Sequence, residues 1–146
     1  MSYWDTSCLI KLYTPEPDSS VFRTHLAGQA TCVTCDLAPL EFWAAVRRKE
    51  TEGVLAAGEA ETVQTALEAD LAVGLISQVP CDAAVRAKFR ALVERCHAYS
   101  PPIYIRTLDA LHLAAATCCG ETEVVATDKR LRDAALLLGF AVFPPP

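Results

Sequence analysis

Along the chain, short runs rich in β-branched or aromatic residues alternate with longer stretches whose apolar positions recur every three or four residues. The first run, Met1 to Trp4, predicts a brief strand that ends at Asp5. Cys8-Leu9-Ile10-Lys11-Leu12-Tyr13 then reads as a helix, stopped by the Pro15-Glu16-Pro17 turn because proline cannot continue one. A second helix is predicted from Ser19 to about Leu26, with Ser19 or Asp18 as its cap and Gly28 closing it. Ala30 to Thr34 has strand character.

Asp36 is expected to cap a third helix that tolerates Pro39 in its first turn, with Leu40, Trp43, Ala44 and Arg47 at helical intervals. This places Glu41 in the first turns. Residues from about Ala57 to Ala72 form a helix by propensity, and Leu75 to Val79 a short strand before Pro80. Asp82 opens a helix with a Val85, Phe89, Leu92, Val93, Cys96 stripe, and Ser100-Pro101-Pro102 breaks the chain. Thr107 can cap a helix from Leu108 to Cys118 that is apolar on nearly every face, hence central, and that ends at Gly120. Glu123 to Ala126 reads as a buried strand, Asp128 leads into a helix through Leu138 that stops at Gly139, and Phe140 to Phe143 supplies a last strand. Strands separated by helices of this length predict an α/β fold with a largely parallel sheet, in one domain spanning residues 1–146.

Composition narrows the classes. The chain is 52% apolar and 21% charged, with no apolar run long enough to span a bilayer and neither a basic n-region nor a signal-type stretch at its start. The expectation is a cytoplasmic protein without a membrane segment. Seven cysteines, an odd number without paired spacing, are expected to be thiols; Cys32-Val-Thr-Cys35 lacks the second pair that a zinc knuckle needs. A formal charge of −5 argues against nucleic-acid binding by bulk electrostatics, so any RNA contact must use a local patch. The densest basic runs are Arg47-Arg48-Lys49 and Lys129-Arg130-Leu131-Arg132, each of which also suits a solvated helix face.

The acids carry the candidate chemistry. Asp5 and Asp128 each follow a short apolar stretch and precede a helix, the corner at which ligands bind on parallel sheets. Glu41 and Asp109 sit near the starts of other helices, whose dipoles favour negative charge there. Each acid alone also suits a helix cap. However, Asp109 lies within Leu108-Asp109-Ala110-Leu111 and Asp5 is crowded by Tyr3, Trp4 and Leu9, and acids in apolar company need partners. No basic residue lies beside all four in sequence, so the expected compensation is a hard divalent cation, Mg²⁺ or Mn²⁺. Two carboxylates about 4 Å apart repel by on the order of 4 kcal/mol at an effective dielectric near 20, a strain that an ion relieves. Such a site suits phosphodiester hydrolysis.

Together these residues resemble the pattern of PIN-domain nucleases, in particular the toxins of VapC type. The likeness runs from Asp5-Thr6-Ser7 with Leu9, Lys11, Leu12 and Tyr13, through Thr34, Leu37, Glu41 and Arg47. It continues with Arg106-Thr107-Leu108-Asp109-Ala110-Leu111-His112-Leu113-Ala114, the most specific segment, and closes with Ala126-Thr127-Asp128, Leu131 and Gly139. The resemblance implies a three-layer α/β/α fold and an Mg²⁺- or Mn²⁺-dependent endoribonuclease with Asp5, Glu41, Asp109 and Asp128 as catalytic and metal-site acids. Thr6, Ser7 and Thr127 match supporting hydroxyl positions, and Lys11, Arg47, Arg48, Lys129 and Arg130 are candidates for RNA contact. It also implies the toxin role in a type II toxin–antitoxin system, a VapB-type antitoxin that blocks the cleft, often with an arginine near the metal site, and a homodimer. The alternatives are a housekeeping RNA-processing nuclease of the same fold and a non-catalytic module that holds RNA or protein.

The chain departs from the pattern in its very short first strand and in Cys35 and Asp36, where small hydroxyl or neutral residues are more usual. Asp133 reads as solvated rather than as a fifth acid. His112, among Leu111, Leu113 and Ala114, reads as a packed, hydrogen-bonded core histidine, and Trp4 and Trp43 as core residues.

Overall fold

The computed structural model describes residues 2–29 and 32–145. Five strands, β1 (Ser2–Trp4), β2 (Cys32–Cys35), β3 (Ile76–Val79), β4 (Glu123–Val125) and β5 (Ala141–Phe143), form one sheet in the order β3-β2-β1-β4-β5. Every pairing is parallel, so each connection crosses over through helices. The predicted Ala30 and Thr31 lie outside the described residues; the rest of that strand runs one residue further than its β-branched pattern suggests.

Seven helices cover the sheet: α1 (Thr6–Tyr13), α2 (Ser19–Ala27), α3 (Ala38–Thr51), α4 (Glu59–Ala72), α5 (Ala83–Ala98), α6 (Thr107–Cys119) and α7 (Lys129–Leu138). Helices α1 to α4 pack on one another as one layer, and α5 to α7 form the other, which gives the three-layer α/β/α arrangement. Strand alternation assigns β1 to both layers. Trp4 packs edge-on against Phe22 of α2, while Tyr3 meets His112 of α6. Helix α6 buries Ala110, Leu113, Ala114, Ala115 and Ala116, and its small side chains let it lie close to the sheet.

The chain leaves β1 for β2 on one side and later returns to β4 on the other, so the sheet reverses its winding at β1. In parallel sheets a crevice opens at such a reversal, outside the carboxyl ends of the strands. Asp5 directly follows β1 and donates its amide to Val125 of β4 at 3.0 Å, and Asp128 follows β4 by three residues. Thr107 does not cap α6 but begins it, with Arg106 at the cap position and no side-chain cap bond. Asp36 does not cap α3, because its carboxylate accepts the Cys81 amide at 3.1 Å and ties β2 to the segment after β3. Trp43 is 37% exposed, since Phe42 and Val46 form the buried stripe of α3 instead.

Candidate active site

A cleft of about 750 Å³ opens at the carboxyl edge of the sheet, and Asp5, Glu41, Asp109 and Asp128 all line it. They come from the end of β1, the first turn of α3, the first turn of α6 and the start of α7. Thr6, Ser7 and Thr127 line it as well. Asp128 serves both local structure and cleft: its Oδ1 caps α7 by accepting the Arg130 and Leu131 amides at 2.9 and 3.1 Å, which leaves Oδ2 to the cleft side. Asp5 occupies the corresponding corner before α1 but makes no side-chain cap bond.

Asp5 and Asp109 are each only 8% exposed. Asp5 Oδ2 accepts a hydrogen bond from Ser7, and its Oδ1 lies 4.0 Å from His112 Nε2. Burial pushes the Asp5 carboxyl above its ordinary pKa; the His112 charge and the Ser7 hydroxyl oppose this, and the charges of Glu41 and Asp109 add to it. Glu41 Oε2 accepts from Thr6 at 2.6 Å and from His112 Nε2 at 2.7 Å. Burial alone would raise the Glu41 pKa, but the His112 hydrogen bond and charge, with Thr6, outweigh it and hold the carboxyl below its ordinary value.

Asp109 and Asp128 share Arg106. Its Nε donates to Asp109 Oδ2 at 2.7 Å, and its Nη2 to Asp128 Oδ2 at 3.1 Å. The spatial arrangement thus supplies the bases that linear order does not. Arg106 carries no assigned role in the sequence pattern, although it precedes Asp109 by three residues, a spacing at which helical side chains meet. His112 is the packed, hydrogen-bonded histidine expected, 2% exposed, with Tyr3 Oη at 2.9 Å from Nδ1. Burial lowers its basicity, yet hydrogen bonds to Cys35 and Glu41 and nearby negative charge raise its pKa well above the ordinary value.

The basic candidates divide. Lys11 and Arg48 line the cleft, as does Lys49 from the same basic run. Lys11 is tied to Glu16 and Asp18 at 2.8 and 2.7 Å, and Lys49 to Glu16 at 3.0 Å, so Glu16 links two cations at the rim. Arg47, Lys129 and Arg130 do not line it. Arg47 pairs with Glu50 and lies over the Trp43 ring, Lys129 pairs with Asp133 as a solvated helical couple, and Arg130 borders a separate groove beside Tyr104. All seven cysteines are free thiols.

Among the described residues, no three His, Cys, Asp or Glu side chains converge on one coordination point. The chemistry of the donors nonetheless fits a hard cation: four carboxylates on one cleft, one of them buried and resisting ionisation.

A family model described as PIN domain matches residues 2–137. Ribonuclease VapC46 of Mycobacterium tuberculosis (strain ATCC 25618 / H37Rv) is 31% identical over 150 residues, covering 98% of this chain and 96% of the relative. Ribonuclease VapC35 of the same species is 29% identical over 151 residues, covering 99% and 97%. Among solved structures, FitAcB from Neisseria gonorrhoeae aligns with a TM-score of 0.67 at 19% identity, over 99% of this chain and 98% of that one. VapBC2 from Rickettsia felis, bound to a DNA fragment from their promoter, aligns with a TM-score of 0.66 at 14% identity, over 97% of both chains. These structures share the fold, and the family match with the VapC46 likeness along nearly the whole chain places this protein in the PIN-domain family.

Proposed function

We propose that this chain is a divalent-metal-dependent endoribonuclease and the toxin of a type II toxin–antitoxin pair, in which Asp5, Glu41, Asp109 and Asp128 hold Mg²⁺ or Mn²⁺ within a single domain. The observation that carries the reading is the convergence of acids from four separate elements on one cleft at the winding reversal of the sheet. Similarity to two proteins named ribonucleases supports RNA as the substrate. The proposed site of action is the cytoplasm, where the RNA substrate lies; among the described residues no helix is long and apolar enough to cross a membrane.

When bound, the ion supplies Lewis acidity and charge neutralisation for phosphodiester hydrolysis. The chain's own residues do the rest. Asp5 is held by Ser7, and Glu41 by Thr6 and His112, so both carboxylates enter the cleft with their orientations set. Thr127 lines the cleft beside Asp128 and offers a hydroxyl for a phosphate oxygen. Arg48 and Lys49 provide positive charge at the rim for the RNA backbone, despite the net charge of −5.

The partner is a VapB-type antitoxin. The cleft accepts a guanidinium, as Arg106 bridging Asp109 and Asp128 illustrates, so an arginine from a second protein can neutralise the same acids.

The test is cleavage of total RNA by the purified, partner-free chain with Mg²⁺ or Mn²⁺. The proposal predicts products that EDTA abolishes and that Asp109→Asn fails to form while remaining folded. No products with either metal across several RNAs, or full activity in Asp109→Asn, would sink it.

A further inference from the structure

His112 is an anomaly on its helix. Positions 110 and 113–116 of α6 are buried Ala and Leu, yet an imidazole stands among them at 2% exposure. A buried polar ring costs stability unless both nitrogens find partners. Here both do: Nδ1 meets Tyr3 Oη at 2.9 Å, with Cys35 Sγ at 3.6 Å, and Nε2 meets Glu41 Oε2 at 2.7 Å. Four elements therefore converge on one ring: β1 and β2 meet its inner end, and α3 through Glu41 and α1 through the Thr6 hydroxyl, 3.4 Å from Nε2, meet its outer end.

The hydrogen on Nε2 does not depend on the protonation state. In the neutral ring the Glu41 carboxylate, which can only accept, selects the Nε2–H tautomer, and Nδ1 is then the acceptor facing the Tyr3 hydroxyl; in the imidazolium both nitrogens carry hydrogen. Nε2 donates to Glu41 in either case. Thr6 donates to the same oxygen, so both side-chain hydrogen bonds that Glu41 accepts fall on Oε2, and Oε1 is left available to a cation.

Resting on the reading of the cleft as a divalent-ion site, we infer that His112 is a positioning residue: the buried relay Tyr3–His112–Glu41 presents Glu41 to the ion through a single oxygen. The relay reaches the ion only through Glu41, and it anchors the carboxylate to the central strand of the sheet. Groups that orient ligands in this way change metal affinity or activity by about 10- to 100-fold when removed.

The experiment is a Mn²⁺ titration of the metal-free full chain, read by the EPR signal of free Mn²⁺. It is combined with kcat and KM on an RNA substrate, thermal melts, and ¹⁵N NMR of the histidine ring. His112→Leu is expected to weaken Mn²⁺ binding by about tenfold or more and to lower kcat while KM for RNA stays nearly constant. His112→Gln keeps an N–H at the ε position and is expected to recover both to within about threefold of wild type. Tyr3→Phe is expected to shift the His112 ¹⁵N resonances and to weaken Mn²⁺ binding by a smaller factor. A folded His112→Leu with wild-type Mn²⁺ affinity and kcat overturns the inference, as does a His112→Gln no better than His112→Leu. Should His112→Leu fail to fold, Tyr3→Phe decides, and unchanged resonances with unchanged affinity overturn it. A wild-type chain that neither binds Mn²⁺ nor cuts RNA removes the ion site and this inference with it. A wild type that does both while the His112 and Tyr3 variants stay flat removes this inference alone.

Discussion

The two halves of the cleft solve the same electrostatic problem by different means. On the inner half, Asp5 is held by the Ser7 hydroxyl, and Glu41 by the buried Thr6 and His112. On the outer half, Asp109 and Asp128 are bridged by Arg106, whose side chain is 57% exposed. Asp109 is as buried as Asp5, so what separates the halves is the partner and not the depth of the acid. A fixed donor such as His112 orients a carboxylate and would stay in place beside a bound ion. A surface guanidinium neutralises charge and could leave for water at little cost to make room for one. The inner half is thus a frame, and the outer half is an adjustable counter-charge.

The largest expected effect falls on both halves alike. On the proposed site, Asp5→Asn and Asp109→Asn are each expected to lower kcat for RNA by on the order of 10²–10³, because losing a proposed ligand would remove several kcal/mol of transition-state stabilisation. A steady-state assay with saturating Mn²⁺ checks this, and near-normal activity in either variant breaks the equivalence of the halves as ligand sources.

Stability separates them. The raised pKa of Asp5 means that folding disfavours its charged form, so in EDTA Asp5→Asn is expected to melt higher than wild type at neutral pH. The sign fixes the pH dependence. Stability contributed by protonating a raised-pKa acid is gained as pH falls through its folded value, so the gap between Asp5→Asn and wild type closes from that value down toward 3.8. Asp109→Asn is expected to melt at or slightly below wild type at neutral pH, since it loses the Arg106 pair. Equal shifts for the two variants in calorimetry would erase the distinction between frame and counter-charge.

Arg106→Ala sharpens the outer half. Removing a cation that would compete with the ion is expected to tighten Mn²⁺ binding by about 1.4- to five-fold, matching the roughly 0.2–1 kcal/mol of an exposed pair, with the gain shrinking at high salt. Weaker Mn²⁺ binding in this variant would make Arg106 part of the frame instead. The smallest effects lie at the rim and beyond. Arg48→Gln is expected to raise KM for RNA by a few-fold and flatten its salt dependence, whereas Lys129→Gln, tied to Asp133 away from the cleft, leaves KM unchanged.

The parallel α/β order was readable because long crossovers and buried apolar runs leave few topologies, and each acid stood at a recognisable corner before or within a helix start. What linear order could not convey was pairing across the fold. Tyr3 and His112 are 109 residues apart, and Glu41 and His112 are 71 apart, so only the packing of α6 on the sheet brings them together. Arg106 was the legible exception, three residues from Asp109 on a helix start. Trp43 and Asp36 misled for a physical reason. An apolar period can fall on either face of a helix, and a carboxylate before a helix is equally free to bond a neighbouring strand exit. Counting charge in runs likewise overvalued Lys129 and Arg130, whose neighbours in space turn them away from the cleft.

The proposed divalent-ion site joins four acids from four elements, and the deciding experiment titrates Mn²⁺ into metal-free wild type and Asp5→Asn while following free Mn²⁺ by EPR. Saturable binding is expected in wild type, with affinity lower by tenfold or more in a folded Asp5→Asn. Absence of saturable binding in wild type, or identical isotherms for the two chains, would contradict such a site.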